Sequence, residues 1–278
     1  MNDARGGKKM DKAKSWNMKK VFVALAFLCM VVVNVLANSI PINGKNTGQV
    51  SDSYGNLFAP AGITFSIWGV IYVFLALYVL YQFGFLRLNQ KVSLDLVFNT
   101  IGPAFILSSL ANSAWIFAWH YDRIALSMGL MIVLLLCLLT IVNMLKRTKL
   151  NTRGKVFVKI PFSIYFGWIT IATIANATTL LVSLGFDGFG IDEYYWTILI
   201  LVVGLVIGGA TTYLNRDIAY GAVIIWAYAG IWIKHASRDG FDGTYPLIIY
   251  TAVFSLAVMA FILGFVIYRQ FLKKYSQV

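Results

Sequence analysis

Residues 56–82 read NLFAPAGITFSIWGVIYVFLALYVLYQ. The turn Pro60-Ala61-Gly62 opens directly into an apolar stretch whose next charge is Arg87, so the chain leaves water abruptly and must start a helix that hydrocarbon accepts. Trp68 and Tyr72, four residues apart, share one face of that helix. Taken alone, they read as interfacial or packing aromatics, which are enriched at membrane boundaries.

The same pattern recurs along the chain. Of its 278 residues, 59% are hydrophobic and 12% charged, and the Asp, Glu, Lys and Arg residues fall between the long apolar runs or, for Lys159 and Lys234, at their edges. Eight runs can be counted, at 21–40, 64–86, 97–119, 124–145, 157–184, 195–214, 218–234 and 246–268. A helix needs about 20 residues to cross ~30 Å of hydrocarbon. The fold class is therefore an all-α polytopic membrane protein with about eight transmembrane helices. The seventh run is short and spans only if Lys234 snorkels toward the headgroups.

An even number of spans puts both termini on one side. The N-terminal tail, the 146–159 loop and Arg87, Lys91, Arg216, Arg269, Lys273 and Lys274 together hold nineteen of the 23 basic residues, which leaves Lys45, Arg123, Lys234 and Arg238 for the other side. The excess of Lys and Arg predicts cytoplasmic termini, in the plasma (cytoplasmic) membrane. The net charge of +12 sits beside the spans, so anionic lipid headgroups rather than nucleic acid are the expected partner. Cys29 and Cys137 both fall within apolar runs and suggest neither a disulfide nor a metal site.

Residues 1–20 form a basic tail. Run 21–40 reads as a retained first helix in preference to a signal peptide, although Val35-Leu36-Ala37 resembles a cleavage site. Asn34 and Asn38 make a small polar stripe near its outer end, for which interhelical hydrogen bonding is the ordinary explanation. The outer loop 41–62, rich in Gly and Pro, is long enough to serve as a lid. Span three stacks Asn112, Trp115 and Trp119 on one face, with Trp119 beside His120 and Asp122 read as interfacial. Span five carries Trp168, Thr170, Thr173, Asn176, Thr178 and Thr179. Threonine hydroxyls can bond back to the helix, but Asn176 needs a partner or a ligand.

These stretches resemble the TspO/MBR family, the tryptophan-rich sensory proteins that include the translocator protein. The matching pieces are Pro60 followed by Trp68-Gly69-Val70-Ile71-Tyr72, Asn112 with Trp115, Arg123 ahead of span four, and Trp168 followed by Asn176. The resemblance implies a five-helix bundle over 21–185, closed by its first loop, whose pocket takes amphipathic ligands such as porphyrins and sterols. Carried over by position, Trp68, Tyr72, Asn112, Trp115, Trp168 and Asn176 would line or support that pocket, with Asn34 and Pro60 beside them. The first loop departs from the family's Lys-Pro-Ser-Trp-x-Pro-Pro segment, with Leu57 at the Trp position and only Pro60 of the double proline. Residues 186–278 resemble the tail of longer family members and would add a three-helix membrane extension. In span six, Gly204 and Gly208 form a small-xxx-small pair that suits packing within the chain or a homodimer seam, the former being commoner.

The expected function is ligand binding or sensing, with ligand transfer as a further possibility and no cofactor implied. A secondary transporter or permease for an uncharged or amphipathic solute is the alternative. Ion coupling usually leaves ionisable residues at mid-membrane or helices broken in matching halves, and here Pro103 is the one proline expected inside a helix. An enzyme is not expected. The candidate titratable groups, His120, Asp122, His235, Asp239 and Asp242, lie at the outer loops, where they read as solvated or headgroup-facing, and HExxH, Walker and CxxC motifs are absent.

Overall fold

A computed structural model describes residues 3–86 and 95–275, with side chains over 18–86 and 98–272. Arg87 and Lys91, used above to orient the chain, and the side chains of the basic tail before residue 18 lie outside the described residues. Eight helices there are long and apolar enough to cross a membrane. They are α1 (Asp3–Ser39), α2 (Ile67–Phe83), α3 (Asp95–His120), α4 (Ile124–Lys146), α5 (Ile160–Ser183), α6 (Glu193–Asn215), α7 (Ile218–Ala236) and α8 (Pro246–Tyr275). No strand occurs among the described residues, and the chain is an all-α polytopic membrane protein.

Local chemistry sets several helix ends. Gly84, at φ 97°, takes the left-handed conformation that closes α2. Asp192 and Asp217 cap α6 and α7 by accepting from the Tyr194 and Tyr220 amides. Pro161 stands in the first turn of α5, where its missing N–H costs nothing. A wide turn over Lys155–Lys159 leads into that helix, so the fifth span begins at Thr152, earlier than hydropathy suggests. Pro103 lies inside α3, as expected.

The first five helices pack α1 on α3, α3 on α4, α4 on α5, and α2 on both α5 and α1. Every residue of α5 from Pro161 to Ile171 is buried, which makes it the central helix. α7 is the main bridge to the last three: it packs on α5, on α8 and on the turn that precedes α2. Gly204 and Gly208 face α7. A Cβ on Gly204 would come within 2.7 Å of the Tyr228 hydroxyl, and one on Gly208 within 2.9 Å of Ile224. The small-xxx-small pair thus serves packing within the chain.

Candidate ligand-binding site

The first loop roofs the end of the bundle opposite the chain termini. Its short helix, Thr47–Asp52, starts with a reciprocal capping box in which the Asn46 and Gln49 side chains each accept from the other's backbone N–H at 2.9 Å. This helix sits on the end of α3. Trp119 Nε1 donates to the Thr47 carbonyl at 3.2 Å, and Asn43 donates to the His120 carbonyl at 2.9 Å. His120 Nδ1 lies 3.2 Å from the Ile42 carbonyl, and Nε2 lies 3.2 Å from the Thr47 hydroxyl. A carbonyl can only accept, so Nδ1 carries the proton and the Thr47 hydroxyl donates to Nε2. Two sequence expectations are corrected here: Trp119 and His120 are buried, because the loop helix folds over them and supplies their partners.

The other edge of the roof is held by α7. The Ala61 amide donates to the Gly230 carbonyl and Trp226 Nε1 to the Thr64 carbonyl, each at 3.0 Å. His235 Nε2 donates to the Leu57 carbonyl at 2.8 Å. Lys234 pairs with Asp52 at 2.8 Å. His235 is fully buried, which corrects its expected exposure, and the Lys234 ammonium reaches a loop carboxylate where snorkelling to headgroups was expected. Gly230 is required at this seam, since any Cβ there would overlap Thr64. Asn56 extends the anchoring to α5 by donating to the Thr178 and Thr179 hydroxyls.

Beneath the roof the aromatic residues converge on Trp68. Its ring stacks on Tyr72 with centroids 5.6 Å apart, and it meets Trp115 at 6.3 Å, Trp168 at 6.2 Å and Tyr165 at 6.0 Å. Such pairs contribute about 0.5–1.5 kcal/mol each beyond the area they bury. The amides pair with one another across helices. Asn34 donates to Asn112 at 2.7 Å, and Asn112 donates to the Tyr165 hydroxyl at 3.1 Å. Trp115 Nε1 donates to Asn176 Oδ1 at 3.0 Å, while the Asn176 amide donates to Ser127 at 3.0 Å.

Two hollows border this cluster. An inner cavity of about 40 Å³, edged by Pro60, Phe65, Trp68, Trp115, Trp168 and Asn176, has room for little more than a water molecule. An outer cleft of about 610 Å³ opens between α1 and α2 under the roof, where Asn34, Asn38, Gln49, Asp52, Trp68 and Tyr72 line it. That volume is typical of small-molecule sites. Phe65 and Trp68 belong to both walls. Of the residues singled out in the sequence, Asn112 lines neither hollow and stands behind Asn34 as its hydrogen-bond partner. The others divide: Asn34 and Tyr72 face the cleft, Pro60, Trp115, Trp168 and Asn176 face the inner cavity, and Trp68 faces both.

Six buried side-chain polar atoms have no hydrogen-bond partner among the described residues, the hydroxyls of Thr64, Tyr72, Tyr78 and Tyr220, Trp168 Nε1 and His235 Nδ1. Buried donors without partners are rare and costly. Of these residues, Tyr72 belongs to the wall of the cleft and Trp168 to that of the inner cavity. Sequence reasoning missed Phe65 and Tyr165. Each lies three residues before a tryptophan already singled out, one helical turn away on the same face, and that spacing was a usable signal. It also missed Ser127, which carries no such sign.

Comparison with curated proteins gives no match, and comparison with solved structures gives none either. A family model described as TSPO-like protein matches residues 20–266, from within α1 to within α8. With membrane-crossing helices along that whole stretch, the chain is an integral membrane protein and belongs to the TSPO-like family, which points to a sensory or binding role in the membrane.

Proposed function

We propose that this protein binds an amphipathic ligand with a flat apolar body, tetrapyrrole- or sterol-like in shape, in the cleft between α1 and α2. The Trp68–Tyr72 stack offers the body a flat face, and Asn34, Asn38 and Gln49 offer hydrogen bonds to its polar end. The Trp68–Tyr72 stack on the wall of a ligand-sized cleft is the observation that carries this reading, and the unpartnered Tyr72 hydroxyl buried behind that wall would gain an acceptor if the ring turned toward a ligand. The inner cavity is too small to hold such a ligand unless Phe65 and Trp68 swing aside, which would join the two hollows. On this reading the termini are cytoplasmic, the roof lies on the opposite side of the plasma membrane, and surrounding lipid delivers the ligand.

Titration of the purified full-length protein with protoporphyrin IX, followed by the porphyrin's own absorption band, tests this. Saturable binding is expected, weakened about five- to ten-fold by Tyr72→Phe, the loss of one hydrogen bond, and further by Trp68→Leu. Saturable binding of equal strength in both variants, or none in the parent protein, would overturn the reading.

A further inference from the structure

A third hollow, of about 420 Å³, lies at the outer ends of α5 and α6 and shares no lining residue with the two described above. Its sides are aliphatic, from Leu181 and Ile200, and aromatic, from Phe186 and Trp196, whose rings meet edge to face at 6.0 Å. Three carboxylates, Asp187, Asp192 and Glu193, complete the lining, which contains no Lys, Arg or His.

Each carboxylate is fixed through one oxygen by a backbone amide. Asp187 accepts from Phe189 at 3.0 Å, Asp192 from Tyr194 at 2.8 Å, and Glu193 from Leu57 at 3.3 Å. Among the described residues none of the three forms an ion pair with Lys or Arg. Acidic residues at a protein surface are ordinarily a solvated rim. What differs here is that they border a concave apolar chamber of ligand size, whose low-dielectric walls focus their field. Among the described residues no group of three carboxylates, histidines or cysteines is close enough to hold a metal ion, so an inorganic cation does not fit the arrangement.

We infer that this hollow is a binding site for an organic ammonium ion bearing an aromatic or aliphatic body. The body packs between Leu181 and Ile200 and against the rings of Phe186 and Trp196, and the ammonium donates to the free oxygen of one carboxylate while the other two add to the negative field. An ammonium could also come from the ethanolamine headgroup of a phospholipid. That headgroup carries a phosphate beside its ammonium, which the three carboxylates would repel, so the site takes the free amine. Glu193 accepts from Leu57 of the first loop, and Asn56 of the same loop lines the hollow, which places the site next to the roof of the cleft without making it part of the cleft.

The test is calorimetric titration of the full-length protein, in a neutral maltoside detergent, with phenethylamine and with its uncharged isostere 2-phenylethanol. Phenethylamine should bind saturably, and 2-phenylethanol about ten-fold or more weakly, because only the amine makes charge-assisted hydrogen bonds. The double substitution Asp187→Asn, Glu193→Gln keeps both backbone hydrogen bonds and should remove that preference without lowering the thermal midpoint appreciably. Added phosphatidylethanolamine should leave amine binding unchanged. Equal affinity for the two probes, no saturable binding, an unaltered preference in the double variant, or full competition by phosphatidylethanolamine would each overturn the assignment.

Discussion

His235, on α7, donates a 2.8 Å hydrogen bond to the carbonyl of Leu57, on the first loop. The two residues are 178 apart in sequence, so the last third of the chain supplies a fastening for the roof over the aromatic cluster. Replacing His235 with Ala leaves the buried Leu57 carbonyl unpaired, at a cost of about 1–3 kcal/mol. The loss should appear as local opening. In a protein with Cys29 and Cys137 replaced by Ala and Ser51 by Cys, thiol labelling at position 51 should speed up about ten-fold on adding His235→Ala. An unchanged labelling rate would show that the fastening does not hold the loop.

The amide pair between α1 and α3 should be energetically coupled. Asn34→Leu and Asn112→Leu should each destabilise the bundle by about 1 kcal/mol, and the double variant by less than their sum, with a coupling of ~0.6–1.7 kcal/mol. Unfolding of the four proteins in mixed detergent gives the cycle. Strict additivity would mean that the 2.7 Å bond contributes nothing.

Trp168→Phe removes a buried N–H that has no acceptor. A donor that helps only a bound ligand is dispensable to the fold, so the thermal midpoint should fall by no more than the smaller ring's lost packing against Trp68 and Phe65 accounts for. If ligand reaches the inner cavity, porphyrin affinity should fall in the same variant. A large drop in thermal midpoint would show that the indole nitrogen has a structural partner.

Gly208→Leu should separate α6 from α7, since even a Cβ at that position comes within 2.9 Å of Ile224. Overpacking of this kind costs about 1–3 kcal/mol. The expected result is a lower thermal midpoint with the same oligomeric state by light scattering. A change of oligomeric state at unchanged stability would instead put the glycine on a seam between copies.

The Tyr54 hydroxyl donates to Asp122 at 2.8 Å. Burial first, then the hydrogen bond to Asp122 and that carboxylate's charge, raise its pKa from 10.0 to about 12. A value raised in the folded state means that the contribution is complete below pH 10 and is lost as pH climbs through about 12. The stability difference between the parent and Tyr54→Phe should therefore be flat from pH 6 to 9 and shrink only in that alkaline range. A change near neutral pH would contradict the assignment.

Much of this architecture was legible because hydrocarbon is an unforgiving solvent. Charges confined to the connections marked all eight helices, and amides and indoles in apolar runs marked Trp68, Asn112, Trp115, Trp168 and Asn176 as residues needing an explanation. Periodicity could not say that the amides would satisfy one another, because Asn34 and Asn112 are 78 residues apart and Trp115 and Asn176 are 61. The positions of Trp119, His120 and His235 were misjudged for one common reason. Each stands at the outer end of its helix, where sequence alone suggests headgroups, and each is covered by a loop whose path depends on distant partners. One sign of that path was present, the Asn46-x-x-Gln49 capping box that starts the loop helix.

The roof is fastened on opposite edges, to α3 by Trp119, His120 and Tyr54 and to α7 by His235, Lys234 and Trp226. A cover held that way cannot swing like a hinged door. On the proposed reading, the slot between α1 and α2, where Gly69 offers no side chain, then becomes the portal, and it would open to the acyl chains of one leaflet. For the proposed ligand, the rate of capture would follow how strongly a molecule dissolves in that leaflet, and its concentration in the aqueous phase would matter only through that partitioning.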